Sequence, residues 1–128
     1  HPGEMARLLD SSVEEIEKDR VGTVVSAAQK WGQVVVLKGA HSLVAAPDGR
    51  LTFSPFANPG LATAGTGDVL AGAIVGFLAQ GLPPYQAAIA GVFLHGLAGE
   101  MVREEMGETG MVAGDLLPLL PQAIRSLK

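Results

Sequence analysis

A chain of 128 residues, 48% hydrophobic and 17% charged, has the composition of one globular domain or part of one, and not of a disordered segment. Its formal net charge is -4 and its nine Lys and Arg are scattered, which leaves no basic stripe for nucleic acid. The absence of cysteine removes disulfides, thiolate metal sites and cysteine nucleophiles, and suits a reducing compartment.

In chain order, His1-Pro2-Gly3-Glu4 reads as a loop, with a short helix starting near Glu4. Ser12-Val13-Glu14-Glu15 reads as a capping box, and its acidic first turn suits the helix dipole. The helix it opens is expected to run to about Lys30 and to turn Val13, Ile16, Val24, Val25 and Ala28 inward. Residues 33–37 hold the β-branched run Val34-Val35-Val36-Leu37, expected as a strand buried on both faces, as in a parallel sheet. Pro47-Asp48-Gly49-Arg50 is a hairpin turn between strands at 43–46 and 51–54. A glycine-rich loop comes next, then a helix over 67–80 with Val69, Leu70, Ala73, Ile74, Phe77 and Leu78 on one face. A longer helix is expected from Pro84 to about Met106, with proline in its first turn. A last one would start between Ala113 and Asp115 and carry Leu116, Leu117, Leu120 and Ile124.

Residues 69–99 contain no Asp, Glu, Lys or Arg. Gly81-Leu82-Pro83-Pro84 divides that run, and neither piece has the roughly 20 continuous apolar residues of a membrane span. Two buried core helices are expected instead, with Gly72 and Gly76 as a site of close helix packing. No basic region followed by an apolar run marks a signal peptide at the first residues.

The chemistry concentrates in Asn58-Pro59-Gly60-Leu61-Ala62-Thr63-Ala64-Gly65-Thr66-Gly67-Asp68. Gly65 and Gly67 let the backbone turn sharply and approach a ligand. The helix start beyond them leaves N–H groups that can point at a phosphate, with the Asp68 carboxylate beside it. No Lys-Ser/Thr follows the glycines, so this is not a Walker A loop, and the third glycine of the dinucleotide fingerprint is missing. By itself the pattern also fits a tight turn capping a core helix. Lys38-Gly39, at the C-terminal end of the expected parallel strand, lies where open α/β sheets bind ligands, though a snorkelling surface lysine fits as well. Ala40-His41-Ser42 continues that turn and could offer backbone and hydroxyl groups to a nucleotide. His95, inside the long apolar helix, reads as a satisfied core residue. No two histidines have metal spacing, so no protein-only metal site is expected, and no serine has a base partner suggesting a hydrolase triad.

Together, His1-Pro2-Gly3-Glu4-Met5, Lys38-Gly39, and Asn58-Pro59-Gly60 followed by Ala64-Gly65-Thr66-Gly67-Asp68-Val69-Leu70-Ala71-Gly72 resemble the ADP- or ATP-dependent NAD(P)H-hydrate dehydratases of the ribokinase-like superfamily. The Gly-x-Gly-Asp core is shared with many ribokinase-like kinases; the Asn-Pro-Gly and His-Pro-Gly-Glu motifs are far more specific to the dehydratases. The resemblance implies an α/β ribokinase-like fold, a partial three-layer sandwich with short central strands and several core helices. It makes residues 1–128 the C-terminal part of the catalytic domain, without the half-domain that precedes His-Pro-Gly-Glu in the family. It implies a cytoplasmic repair enzyme that phosphorylates the hydroxyl of hydrated NADH or NADPH from ADP or ATP, with Mg2+, and so creates a leaving group. Asp68 would be the catalytic base, and the backbone N–H groups of Gly65, Thr66 and Gly67 the anion hole. Lys38, Gly39, Ala40, His41, Ser42 and Gly67 would line the nucleotide site, and His1 would touch the substrate with Asp68. Ser42 stands where the family often has threonine, which keeps the hydroxyl. Because the first strands are missing, an exposed sheet edge, self-association or pairing with the missing half, and weak or no activity of the 128 residues alone are expected. A ribokinase-like small-molecule kinase and an inactive nucleotide-binding fragment are the alternatives.

Overall fold

The computed structural model describes residues 1–57 and 66–106; the expected last helix and most of the glycine-rich loop, Gly65 included, lie outside them. The chain divides into two compact units, His1–Phe53 and Ser54–Lys128.

The first unit begins with three helices, α1 (Pro2–Leu8), α2 (Val13–Lys18) and α3 (Arg20–Trp31). The single helix expected from Ser12 to Lys30 is thus two, broken at Asp19. Aspartate competes poorly for a helix interior and well for an N-cap. Here the Asp19 carboxylate takes the Gly22 N–H at 2.9 Å and starts a new helix. The break also corrects Val13, which is 48% exposed rather than inward-facing, while Ile16 is buried. In α3 the inward positions recur at helical spacing, with Val24, Ala27 and Ala28 buried and Trp31 packed against the same core. Gly32, left-handed at φ 63°, ends the helix.

Strands β1 (Val35–Leu37), β2 (Leu43–Ala45) and β3 (Leu51–Phe53) form a three-stranded sheet in sequence order. Both pairings are antiparallel, with Val35 opposite Ala45 and Leu43 opposite Phe53. This corrects the parallel setting expected for β1. A parallel neighbour needs a crossover of roughly a dozen residues or more, and the link from Leu37 to Leu43 is too short for one. The turn before β3 is the expected hairpin, with Gly49 at φ 97°. Arg50 Nε donates to Asp48 at 2.8 Å, and this bond is the main reason the carboxyl titrates below its ordinary range. The pair is exposed and adds little; what it adds is present above the unfolded carboxylate pKa and fades as pH falls through the lowered folded one. The core of this unit lies where α1, α2 and α3 meet the sheet, around Met5, Ile16, Val24, Leu37 and Leu43.

In the second unit, α4 (Thr66–Ala79) and α5 (Pro84–Met106) form a helical hairpin turned at Gly81, φ 94°. Pro84 opens α5, as the sequence predicts. Close approach occurs at Gly91, where an added Cβ would stand 2.5 Å from Ile74 Cγ1, and at Gly96, where it would stand 2.9 Å from Phe56 Cγ. Phe56 also meets Phe93 at 5.3 Å between ring centroids. Among the described residues nothing lies within 4 Å of a Cβ added at Gly72 or Gly76, the expected sites of close packing. Val75 is 62% exposed, and Leu78, expected on the packed face, is also exposed. A helix apolar on every side carries no signal of which side meets its neighbour. Among the described residues no helix is long and apolar enough to cross a membrane.

Candidate functional site

His-Pro-Gly-Glu is a helix cap. His1 is the N-cap of α1, Pro2 opens the helix and Glu4 completes a capping box. The imidazole Nδ1 accepts from the backbone N–H of Gly3 at 3.1 Å and of Glu4 at 3.4 Å. An Nδ1 that accepts places the proton of the neutral ring on Nε2, so His1 presents that nitrogen as a donor. Gly3 leaves the ring its room: a Cβ there would stand 3.0 Å from His1 Cε1. The Glu4 carboxylate accepts from the His1 backbone nitrogen at 2.8 Å, which closes the capping box. Reading the motif as a loop missed this; the Glu three residues after a polar residue was the available signal. A depression of about 270 Å³ is lined by His1 and Glu4 together with Trp31, Gln33 and the edge of β1.

Lys38 follows β1 directly and is half-buried, as is Ser42; Gly39, Ala40 and His41 between them are exposed. The five residues form the turn that returns the chain from β1 to β2. Beneath them lies Arg20, which the sequence reading passed over. Its Nη2 donates to the carbonyls of Leu37 at 3.4 Å and His41 at 3.1 Å. Those partners are 17 and 21 residues away and are backbone atoms, so no side-chain pattern advertises them.

In the second unit, Thr66, Gly67 and Asp68 form the first turn of α4. The first N–H groups of a helix have no intrahelical partners and carry the positive end of its dipole. Thr66 is buried, Gly67 half-buried and the Asp68 carboxylate exposed. His95, on α5, reaches this turn: its Nε2 lies 2.9 Å from the Thr66 carbonyl. A carbonyl only accepts, so Nε2 carries a proton there. The core histidine expected from the sequence is therefore buried and bonded, and its bond fixes the residue that begins the Thr66-Gly67-Asp68 turn. Such a turn can hold an anion on its amides with a carboxylate alongside. Among the described residues no cluster of His, Asp and Glu forms a metal cage.

Residues 1–122 match the family model described as NAD(P)H-hydrate dehydratase. The bifunctional NAD(P)H-hydrate repair enzyme Nnr of Moorella thermoacetica is 48% identical over 128 residues, all of this chain and 24% of the relative. The ADP-dependent (S)-NAD(P)H-hydrate dehydratase of Neisseria meningitidis is 45% identical over 92% of this chain and 40% of its own length. Among solved structures, the ADP/ATP-dependent NAD(P)H-hydrate dehydratase of Bacillus subtilis, co-crystallised with ATP and Mg2+, superposes with a TM-score of 0.95 at 34% identity. That match covers 100% of this chain and 46% of the other. A ribokinase-like superfamily protein of Enterococcus faecalis matches over 87% of this chain with a TM-score of 0.72 and 32% identity. The chain thus spans half or less of the length of these relatives, and its fold is that of the ribokinase-like proteins. With nearly its whole length matched by the family model and near-complete superposition on a solved member, the chain belongs to the NAD(P)H-hydrate dehydratase family.

Proposed function

We propose that the chain supplies the nucleotide loop and the phosphoryl-transfer end of an enzyme that dehydrates hydrated NADH or NADPH at the expense of ADP or ATP. The observation that carries this reading is the start of α4, where Thr66 and Gly67 open an apolar helix and Asp68 stands exposed in its first turn. Asp68 takes the proton of the substrate hydroxyl as that oxygen attacks the terminal phosphoryl group of the nucleotide. The amides of Gly65, Thr66 and Gly67 hold the charge that develops on the transferred group, which preorganised N–H donors do at no reorganisation cost. Phosphoryl transfer releases AMP or ADP; the C–O bond of the phosphorylated hydrate then breaks, phosphate leaves with the hydroxyl oxygen, the adjacent ring carbon loses a proton to solvent, and the dihydropyridine double bond is restored. Residues 38–42, with Gly67, line the adenine nucleotide, and His1 offers Nε2–H to the hydrated nicotinamide. Mg2+ comes with the nucleotide phosphates, the usual mode for an ion that needs few protein ligands.

The exposed Val75 and Leu78 of α4 favour cover by further polypeptide, either the remainder of a family-length domain or a second copy. A kinase of a small molecule would use the same base and anion hole, so the fate of the product separates the two. Given ADP or ATP and hydrated NADH, the full natural polypeptide is expected to release inorganic phosphate and restore NADH absorbance one for one. Accumulation of a stable phosphoester without NADH would establish the kinase instead.

A further inference from the structure

We infer that Arg20 is a positioning residue for the nucleotide loop, acting through the backbone at both ends of residues 38–42. The inference rests on the reading of that loop as the nucleotide site. Arg20 is the first residue of α3, set there by the Asp19 cap, and its side chain is only 20% exposed. One nitrogen, Nη2, donates to Leu37, the last residue of β1, and to His41, near the far end of the loop. The other, Nη1, donates to Glu17 at 3.2 Å, which ties down the second arm of the guanidinium. The loop crosses the guanidinium so closely that a Cβ on Gly39 would stand 2.6 Å from Nη2 and 2.8 Å from Cζ.

Three consequences follow from that geometry. Gly39 is glycine because Arg20 occupies the place of its side chain; an alanine there would push the guanidinium off the two carbonyls. The loop's middle residues, Gly39, Ala40 and His41, are exposed, and the arginine fork holds backbone carbonyls on either side of Gly39 and Ala40. A lysine would not replace it, because one ammonium lacks the planar fork that reaches two carbonyls and a carboxylate together.

The test uses the full natural polypeptide with Arg20→Ala, Arg20→Lys, Gly39→Ala and the Arg20→Ala/Gly39→Ala double variant, with Lys38→Ala as reference. Arg20→Ala is expected to raise KM and Kd for ADP or ATP about tenfold, the size expected for losing charge-assisted hydrogen bonds that shape a site. Its kcat and its KM for the hydrated dinucleotide should stay within about threefold, a split that loss of general stability would not produce. Arg20→Lys should fall near Arg20→Ala. Gly39→Ala should weaken nucleotide binding alike, and the double variant should be no worse than either single one, since both remove the same support. Unchanged nucleotide affinity in folded Arg20→Ala, or multiplying losses in the double variant, overturns the proposal. If Arg20→Ala fails to fold, Gly39→Ala and Arg20→Lys decide the matter by the same readout. Weakened binding in Lys38→Ala but not in the Arg20 variants removes Arg20 alone; no effect in either removes the nucleotide-loop reading and this proposal with it.

Discussion

Asp68→Asn in the full natural polypeptide is expected to lower turnover of hydrated NADH by about 10²- to 10⁴-fold, the usual contribution of a positioned general base. Binding of ADP or ATP should stay within about threefold, because a first-turn amide in place of the carboxylate leaves the backbone N–H groups of α4 where they are. Asparagine matches aspartate in size, and the side chain is exposed, so the fold should not report the change. The two readouts separate the roles assigned to the turn. In the proposed roles the amides bind and the carboxylate takes a proton. Single-turnover measurements with saturating nucleotide give the rate, and calorimetric titration gives the affinity. Turnover within a few-fold of the natural protein would remove Asp68 as the base.

The second large effect is on stability. Leu37 is fully buried at the end of β1 and packs in the core formed by the three helices and the sheet. Leu37→Ala is expected to cost about 2–5 kcal/mol, from lost apolar burial and the cavity left behind. Leu8→Ala is the control: Leu8 is 68% exposed on α1, and its truncation should stay within about 0.5 kcal/mol. The shift of the denaturant midpoint at unchanged slope measures both.

The parts of the fold that were legible in the sequence carry local chemistry. Pro47-Asp48-Gly49-Arg50 read as a hairpin turn, and Pro84 as a residue of a helix's first turn. Thr66-Gly67-Asp68 likewise announced a helix start with an acid beside it. The parts that were not legible depend on partners far away in sequence. The run Val34-Val35-Val36-Leu37 shows that a strand is buried but not which way its neighbour runs; the five-residue return to β2 settles that. Asp19 is of a residue type that favours an N-cap, but only its bond to the Gly22 N–H shows that it breaks the helix at this point. The glycines of α4 looked like packing sites, while the approach happens at Gly91 and Gly96 on α5, which face larger side chains. Of the candidate site, the residues of the motifs were readable and their supports were not. Arg20 holds two carbonyls and His95 holds one, and neither set of bonds leaves a trace in residue spacing; the His1 cap did leave one, in Glu4 three residues on.

The central claim is that the nucleotide's phosphoryl group passes to the substrate hydroxyl at the start of α4 and leaves with that oxygen. The most direct measurement uses hydrated NADH carrying 18O in its hydroxyl, with unlabelled ATP and water, and mass analysis of the phosphate released. If the claim holds, one 18O appears in each phosphate formed as NADH is restored. If the label appears in water instead, the hydroxyl left without being phosphorylated, and the role given to Asp68 and the Gly65-Thr66-Gly67 amides is wrong.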